Sequence, residues 1–274
     1  MAENNFLIID GVRIHYVVAG DGPPLLLLHG LGAGSITWAL NIEPLSQKYT
    51  VYALDVPGLG DSDKPNMDYN IKSGALSVKR FIESLEIEHV SLAGCSMGGM
   101  IALKTAIDFP NMVDNLILVD AAGLGKNVTW LIRVLSIPVI GEILENPSLR
   151  RTRAYLKSVF YNQKLVQNGI LNEIHRTRNS PGAKEATLKM IRGTLGLRGI
   201  HDEWIMTEHM KNLDIPVLII WGAKDMIIPV QNAYNAVYES PSIKLCVFDR
   251  CGHWPQMEKS TEFNKLVISF LNKY

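Results

Sequence analysis

The sequence has few cysteines and no surplus of charge, and both absences narrow what the protein can be. Three cysteines among 274 residues, Cys95, Cys246 and Cys251, do not make a disulfide framework. Cys246 and Cys251 could pair in an oxidising setting, but we expect buried thiols. The 27 basic residues balance 27 acidic residues, which argues against a nucleic acid or an anionic membrane surface as a partner.

Long apolar runs and targeting features are absent as well. No apolar run approaches the ~20 residues of a membrane span. Residues 1–6 lack the basic start, the apolar stretch and the cleavage site of a signal peptide. We therefore expect a cytoplasmic protein with no membrane span. Hydrophobic residues still make up 47% of the chain, which is enough for one large core.

Short apolar runs alternate with helical patterns along most of the chain. Residues 6–9 and 12–17 are typical of a β-hairpin that turns at Asp10-Gly11. Further strands are predicted at residues 25–28, 49–54, 89–93, 116–119, 216–221 and 244–248, and helices at residues 36–48, 71–85, 100–103 and 261–271. This alternation predicts an α/β fold with a mostly parallel sheet and helices on both faces.

The alternation stops between residues 124 and 212. This stretch has a helical pattern without a convincing strand, and Pro138, Pro147 and Pro181 act as helix breakers. We interpret it as a helical cap over the carboxyl edge of the sheet, where open α/β folds bind ligands. The predicted organisation is a core domain of residues 1–123 and 213–274 and a cap of residues 124–212.

Residues 94–98, Gly-Cys-Ser-Met-Gly, form a G-x-S-x-G motif between a predicted strand and a predicted helix. In that context the serine sits on a tight turn, with its hydroxyl lifted above the end of the sheet. The glycines let the strand and the helix approach each other, and the helix N-terminus presents unpaired N–H groups. Ser96 is the predicted nucleophile. The alternative is a small-residue turn that only allows close packing.

A serine nucleophile needs a base and an acid that orients the base, in the chain order Ser, Asp or Glu, His. Among the seven histidines, His253 follows the last predicted strand and is the predicted base. Asp225, in the turn after the strand at residues 216–221, is the preferred acid. Asp120 is the rival, because it ends the strand that follows the motif's helix. We interpret His29 as a turn-shaping residue.

Two backbone N–H groups are predicted to bind the oxyanion of the tetrahedral intermediate. One belongs to Met97, which follows the nucleophile, and the other to Leu31, in the glycine-rich turn at residues 29–32. The predicted substrate contacts are Trp254, as a pocket wall beside the base, and Gly30, Cys95 and Trp130. Seven more cap residues could line an apolar pocket or pack the cap on the core: Leu131, Leu135, Ile143, Met190, Trp204, Ile205 and Met206.

Taken in order, these motifs resemble the α/β-hydrolase superfamily over essentially the whole chain. The matching pieces are His29-Gly30, residues 55–62 (Asp-Val-Pro-Gly-Leu-Gly-Asp-Ser), residues 94–99, residues 222–225 and Gly252-His253. The resemblance implies the α/β-hydrolase fold: an eight-stranded, mostly parallel sheet flanked by helices, with a helical cap inserted after the sixth strand. It also implies that no cofactor is used, and we expect no metal ion.

The C-terminal stretch, residues 251–258 and 262–267, resembles the meta-cleavage product hydrolases, which split carbon–carbon bonds in vinylogous diketones from aromatic-ring degradation. The chain departs from their pattern in three places. Cys95 stands where they usually carry Asn, and residues 31–34 read Leu-Gly-Ala-Gly instead of a Gly-Pro-Gly run. Their cap arginine, which binds the substrate carboxylate, has no clear match here, and Arg176 and Arg178 are only nearby candidates.

These departures favour a carboxylesterase that acts on small esters, with a carbon–carbon bond hydrolase or an enol-lactonase as alternatives. Ser96 argues against the epoxide hydrolases and haloalkane dehalogenases, whose nucleophile is Asp. A non-catalytic receptor on the same fold is a remote alternative, which an intact Ser-His-Asp set argues against. The expected partner is a small-molecule ester, and a homodimer remains open.

Overall fold

The computed structural model describes residues 2–146, 148–240 and 243–273. Its strands are β1 (Glu3–Ile9), β2 (Val12–Ala19), β3 (Pro24–Leu28), β4 (Thr50–Leu54), β5 (Val90–Cys95), β6 (Val113–Val119), β7 (Leu195–Gly196), β8 (Gly199–Ile200), β9 (Val217–Gly222) and β10 (Lys244–Phe248). Its α-helices are α1 (Ala39–Ser46), α2 (Ile71–Ser84), α3 (Met97–Asp108), α4 (Trp130–Leu135), α5 (Ile140–Leu144), α6 (Leu149–Val159), α7 (Asn168–Arg178), α8 (Ala183–Thr194), α9 (Thr207–Met210), α10 (Gln231–Glu239), α11 (Pro255–Glu258) and α12 (Ser260–Leu271). Short 3₁₀ turns lie at Ser35–Trp38, Pro110–Met112, Gln163–Leu165 and Asp202–Trp204.

Eight strands form one sheet in the order β1-β2-β4-β3-β5-β6-β9-β10. The pairs β1–β2 and β2–β4 are antiparallel, and the other neighbouring pairs are parallel. The first pair is the predicted hairpin, and it turns at Asp10 and Gly11, both with positive φ, as a two-residue turn requires. The sheet is therefore the eight-stranded, mostly parallel sheet that the motifs implied.

The core lies on both faces of the central strands. β3 pairs with β4 on one side and β5 on the other, and residues 25–28 of β3 are all buried leucines. Because helices cover both faces of a parallel sheet, its central strands are continuous apolar runs rather than alternating patterns. This explains why apolar runs located β3, β5, β6 and β9 in the sequence.

The predicted helices differ from those of the structure in extent and in number. The predicted helix at residues 36–48 is divided into a 3₁₀ turn, Ser35–Trp38, and α1. Helix α10, between β9 and β10, was not predicted. Its fully buried positions include Ala233 and Ala236, and such small side chains give little apolar periodicity to detect.

The segment between β6 and β9, which we call the cap segment (residues 124–212), is mostly helical, as predicted. Its described part carries α4 to α9. It also contains the small antiparallel hairpin β7–β8, which the sequence analysis did not predict, because strands of two residues each leave no pattern. Pro147, one of the predicted helix breakers, lies outside the described residues. That the cap segment is a separate domain stays a prediction.

Candidate active site

Ser96 stands on a sharp turn between β5 and α3. It is the N-cap of α3 and has a φ of 58° and a ψ of −119°, a region that residues other than glycine seldom adopt. Its N–H donates to the carbonyl of Val119 at 2.9 Å. A Cβ on Gly94 would collide with the carbonyl of Gly98, and a Cβ on Gly98 would collide with the carbonyl of Leu28. Both glycines are therefore required for the close approach of β5, α3 and β3.

His253 and Asp225 are adjacent, although 28 residues separate them in the chain. The Nδ1–H of His253 donates to Oδ2 of Asp225 at 2.7 Å, and both side chains are buried. The N–H groups of Ile227 and Ile228 donate to the other Asp225 oxygen at 2.7 and 3.1 Å. Because a carboxylate only accepts, the proton lies on Nδ1 and leaves Nε2 free to act as a base.

Asp120 lies beside this pair but does not take the place of Asp225. Single donor atoms of Asp120, Asp225 and His253 lie within 4.8 Å of one another. Oδ1 of Asp120 accepts from the N–H of Gly222 at 3.0 Å, and Oδ2 has no hydrogen-bond partner in the part of the chain that the structure describes. Burial, with the nearby charge of Asp225, raises the pKa of Asp120 well above its ordinary value.

The turn at residues 29–32 lies against Ser96. A Cβ on Gly30 would come within 3.1 Å of the Ser96 Cβ, and the side-chain hydroxyl of Tyr155 donates to the Leu31 carbonyl at 3.1 Å. Met97 is the first residue of α3, so its N–H has no acceptor within the helix. The two predicted oxyanion donors, Leu31 and Met97, both line the cavity that contains Ser96.

His29 shapes this turn, as predicted. Its Nδ1–H donates to the Gly30 carbonyl at 2.8 Å, and the N–H of Val56 donates to its Nε2 at 3.1 Å. These two bonds set the tautomer of the neutral ring. Burial lowers the pKa of His29, although Asp55 partly opposes that shift. The His29 ring therefore links the turn at residues 29–32 to Val56, just after β4, through two hydrogen bonds.

Asp55, the first residue of the 55–62 motif, connects three segments of the chain through its buried carboxylate. Its carboxylate accepts the N–H of Ser35 at 2.5 Å, the N–H of Asp61 at 2.8 Å and the Nδ1–H of His15 at 2.8 Å. Burial alone would raise the pKa of Asp55, but the bond from His15, the nearby His29 and the N–H of Asp61 outweigh it and lower the pKa.

Two clusters have the residue types of a metal site: Asp120, Asp225 and His253, and His15, Asp55 and Asp61. In both clusters the histidine Nδ1–H already donates to an aspartate. Asp61 is in addition bound through both oxygens by Arg176, at 2.8 and 2.6 Å. A metal ion would have to displace these bonds, so the donor sets suit hydrogen-bonded pairs better than a cation.

The cavity over Ser96 is small and apolar, with a volume of ≈ 50 Å³. The core lines it with Leu31, Ser96, Met97, Ala122, Ile227 and Ile228. The cap segment lines it with Val128, Ile132, Met190, Ile191, Thr194, Leu195 and Ile200. The polar members of this lining are Ser96 and Thr194, and none of the described residues that line it is ionisable. Such a cavity accepts a small, uncharged and mostly apolar group.

The predicted tryptophan contacts lie elsewhere. Trp254 is 1% exposed and packs edge-on against the rings of Tyr155 and Phe160, at centroid distances of 6.1 and 5.5 Å. Trp130, at the start of α4, is 67% exposed. Neither lines the cavity. The Trp254 ring is buried against these two aromatic rings of the cap segment. The Trp130 side chain faces solvent.

The other predicted substrate contacts are Gly30, Cys95 and the seven further cap residues. Gly30 lies against Ser96, and Cys95 is buried, with its Sγ 3.8 Å from the carbonyl oxygen of His253. Burial raises the pKa of the Cys95 thiol well above its ordinary value, so the thiol stays protonated. Of the seven further cap residues, Met190 lines the cavity. Thr194, which also lines it, was missed, because no sequence pattern distinguishes a cavity threonine from a packed one.

The two candidate arginines are both paired with carboxylates. Arg176 is exposed and binds Asp61 and Glu173. Arg178 binds Glu145 and lies 5.1 Å from the centroid of the Tyr155 ring. Neither lines the cavity over Ser96.

Three features lie at the carboxyl edge of the sheet: Ser96 on its tight turn, the buried His253–Asp225 pair and the glycine-rich turn at residues 29–32. Residues 25–266 match the model of the alpha/beta hydrolase family. The chain belongs to this family. It is 31% identical over 270 residues to the 2-hydroxy-6-oxononadienedioate/2-hydroxy-6-oxononatrienedioate hydrolase of Comamonas testosteroni, a match that covers 96% of this chain and 92% of that protein.

Other relatives of this α/β hydrolase include one without a described activity. An uncharacterized protein of Mycobacterium tuberculosis is 34% identical over 282 residues, covering 97% of this chain and 80% of that protein. The structure of a meta-cleavage product hydrolase from Pseudomonas fluorescens superposes with a TM-score of 0.84 at 30% identity, covering 98% of this chain and 97% of the other. The comparisons confirm the superfamily and the group that the motifs resembled.

The α/β hydrolase shows no membrane-crossing element among its described residues. None of the helices there is long and apolar enough to traverse a bilayer. The finding agrees with the sequence, in which no apolar run reaches that length.

Proposed function

We propose that this α/β hydrolase is a serine hydrolase that cleaves small, uncharged carboxylic esters through an acyl-enzyme intermediate. The observation that carries the proposal is the cavity over Ser96, whose lining is apolar apart from Ser96 and Thr194 and holds no ionisable side chain. A neutral ester loses little hydration on entering such a cavity, whereas a carboxylate would lose its hydration without finding a cationic partner.

In the first half of the reaction, Ser96 Oγ attacks the ester carbonyl carbon while His253 Nε2 takes the hydroxyl proton. Asp225 holds the ring through the Nδ1–H bond of 2.7 Å and stabilises the imidazolium that forms. The N–H groups of Leu31 and Met97 donate to the oxyanion, and each such donor typically contributes ~3 kcal/mol to the transition state. The tetrahedral intermediate then collapses, and His253 gives the proton to the leaving alcohol.

In the second half, a water molecule replaces the alcohol. His253 removes a proton from the water as it attacks the acyl carbon, and the same two N–H groups hold the second oxyanion. Collapse breaks the bond to Ser96 Oγ and returns the proton to it, releasing the carboxylic acid. An enol-lactone is a cyclic ester, so the same steps would open it.

A second candidate is carbon–carbon bond hydrolysis of meta-cleavage products. Two observations favour it: the identity of 31% to the Comamonas testosteroni hydrolase and the TM-score of 0.84 to the Pseudomonas fluorescens enzyme. The name of the Comamonas testosteroni enzyme refers to dicarboxylates. In this chain both candidate arginines are paired with Glu145, Glu173 or Asp61, and neither lines the cavity. We therefore rank this candidate second.

The cap domain, the homodimer and the cytoplasmic location also stay proposals. The helical content of residues 124–212 supports the cap, which here supplies seven of the residues that line the cavity. The homodimer is tested by light scattering coupled to size-exclusion chromatography, where a monomer has a mass of 30.5 kDa.

The decisive experiment compares wild type with Ser96→Ala on p-nitrophenyl acetate, butyrate and octanoate, beside a 2-hydroxy-6-oxo-dienoate. We expect wild type to cleave the short esters and barely touch the dienoate, and kcat for the esters to fall by at least ~10⁴-fold in Ser96→Ala. Much faster cleavage of the dienoate would establish the second candidate instead. Full ester hydrolysis by Ser96→Ala would refute the mechanism.

A further inference from the structure

A second, inner cavity lies next to the cavity over Ser96. Its volume is ≈ 20 Å³, and apolar side chains such as Val56, Ile71 and Ile101 contribute to its walls. Met97, Met190 and Thr194 line both cavities. The two spaces are therefore neighbours that share walls formed by these three residues.

Two of the shared residues are methionines, whose side chains have three rotatable bonds and adapt to irregular spaces. The methyl group of Met190 reaches toward Gly58, where an added Cβ would lie 2.8 Å from it. A change of rotamer at Met190 would therefore reshape the wall that the two cavities share.

Thr194, the third shared residue, has an unusual hydroxyl. The residue is 7% exposed, and within residues 2–146, 148–240 and 243–273 its Oγ1 has no hydrogen-bond partner. Thr194 is the last residue of α8, where a threonine hydroxyl can donate to the carbonyl four residues earlier. A buried hydroxyl without a partner is unfavourable, so its place between two cavities indicates that a ligand supplies the missing bond.

Other polar residues around the inner cavity, Tyr69, Asn70, Ser73 and Ser77, take part in hydrogen bonds within the protein. Asn70 and Ser73 bond each other in the capping box of α2, and the Ser77 hydroxyl donates to the Ser73 carbonyl at 2.9 Å. The Tyr69 hydroxyl donates to the Pro65 carbonyl at 2.6 Å, and burial raises the pKa of Tyr69 to about 12, so the phenol is neutral. The Thr194 hydroxyl is thus the polar group at this junction that a substrate would meet.

We infer that the two cavities form one acyl-binding cleft and that Thr194 selects acyl chains bearing a keto or hydroxyl oxygen where they pass the junction. This inference rests on the proposed ester hydrolysis by Ser96. The acyl carbonyl lies at Ser96, the chain runs between Met97 and Met190, and the Thr194 hydroxyl donates to the substrate oxygen. A methylene group in the place of that oxygen leaves the hydroxyl unpaired, which is a strong basis for discrimination.

The test compares esters that differ by one oxygen: p-nitrophenyl pentanoate with the 4-oxopentanoate, and hexanoate with the 5-oxohexanoate. We expect wild type to prefer at least one oxo ester about tenfold in kcat/KM, the effect of one good hydrogen bond. In Thr194→Val, which keeps the shape but not the hydroxyl, this preference should be about tenfold smaller than in wild type. Any intrinsic reactivity of the oxo esters is common to both proteins and cancels in the comparison.

Two further variants separate a hydroxyl effect from a packing effect. Thr194→Ser keeps the hydroxyl, and we expect it to keep the preference for the oxo ester. Thr187→Val makes the same change at a buried position of α8 that lines neither cavity, and it should behave as wild type. Loss of the preference in Thr194→Ser, or an unchanged preference in Thr194→Val, overturns the role of Thr194.

Met190→Ala tests the joined cleft. Removing this shared wall should move the preferred plain acyl chain to a greater length, and an unchanged chain-length profile overturns the cleft. Ser96→Ala is assayed beside every substrate. If it hydrolyses them as wild type does, the proposed function fails; if hydrolysis depends on Ser96 but not on Thr194, this inference alone fails.

Discussion

At the scale of single residues, two buried aspartates beside one imidazole have different surroundings. Asp225 accepts two backbone N–H groups and the His253 Nδ1–H, which together suit a carboxylate. Asp120 accepts one N–H, and its other oxygen has no partner in the described chain. Burial and the charge of Asp225 raise the pKa of Asp120, which favours its neutral form. Pairs of carboxyl groups divided in this way commonly take different roles.

The first prediction distinguishes the two carboxyl groups by activity. Asp225→Asn should lower kcat for a short ester by ~10⁴-fold, because the amide stabilises the wrong imidazole tautomer and no imidazolium. Asp120→Asn should lower kcat far less than Asp225→Asn, since Asn can still accept the Gly222 N–H. Steady-state kinetics checks both values, with circular dichroism as the control for folding. Equal losses in the two variants would mean that Asp120 shares the orienting role.

The second prediction concerns stability and pH. The pKa of Asp120 is raised in the folded state. Its favourable contribution to the free energy of unfolding is therefore complete below the unfolded-state pKa of about 3.8. This contribution is lost as the pH rises toward the folded-state pKa. Asp120→Asn removes this loss. Its Tm should exceed that of wild type at pH 8 by about 2–4 °C for each kcal/mol relieved, and the difference should shrink toward pH 4. Thermal unfolding at both pH values is the measurement, and a pH-independent difference would contradict the prediction.

At the scale of elements, the site depends on how closely β5, α3 and β3 approach. The positive φ of Ser96 persists because the strand before it and the helix after it are packed on both sides. That packing leaves no space for a side chain at Gly94 or Gly98. The glycines of the motif therefore serve the geometry of three elements, and Ser96 is the proposed nucleophile.

The third prediction uses two glycines in helices. Gly98→Ala should lower both the Tm and the ester activity, because the new methyl group collides with backbone at the end of β3. Gly169→Ala, in α7, is the matched control: nothing lies within 4 Å of the added methyl group. It should stabilise the protein by up to ~1 kcal/mol through helix propensity and leave activity unchanged. A tolerated Gly98→Ala would show that the elbow relaxes.

At the scale of the whole molecule, the cap segment and the loop that carries His253 are held together by one carboxylate. Glu258 accepts the N–H of Tyr161 at 3.1 Å, the N–H of Asn162 at 2.6 Å and the N–H of Gly252 at 2.7 Å. The N–H of His253 also donates to the carbonyl of Val159, at 2.7 Å. The position of His253, the proposed base, thus depends on the end of α6 in the cap segment.

The fourth prediction follows from this junction. Glu258→Gln replaces a charged acceptor by a neutral one and should speed amide hydrogen exchange at residues 161, 162 and 252 about tenfold, the loss expected of a weakened charge-assisted bond. The value of kcat should fall with it, because the His253 loop becomes less well held. Glu262→Gln, on exposed α12 surface, is the control and should change neither quantity. Faster exchange without any change in kcat would show that the Glu258 hydrogen bonds do not affect catalysis, which would contradict the prediction.

The sequence by itself determined the order of the elements and the identity of the chemical groups. Apolar runs located the central strands, because a sheet covered on both faces needs uninterrupted apolar residues. Motifs at strand ends predict Ser96, Asp225 and His253 as the catalytic groups, because parallel strands deliver their carboxyl ends to one edge of the sheet. Of these three, the structure brings His253 and Asp225 into a direct hydrogen bond.

Only the tertiary structure decided what surrounds those groups. It placed Trp254 between two cap aromatic rings, left Trp130 outside and brought Thr194 into the cavity wall. It also showed the pairing of Arg178 with Glu145, 33 residues away in the chain. Each of these depends on which side chains fill the space between cap and core. Because that packing is set by contacts distant in sequence, no local pattern records it.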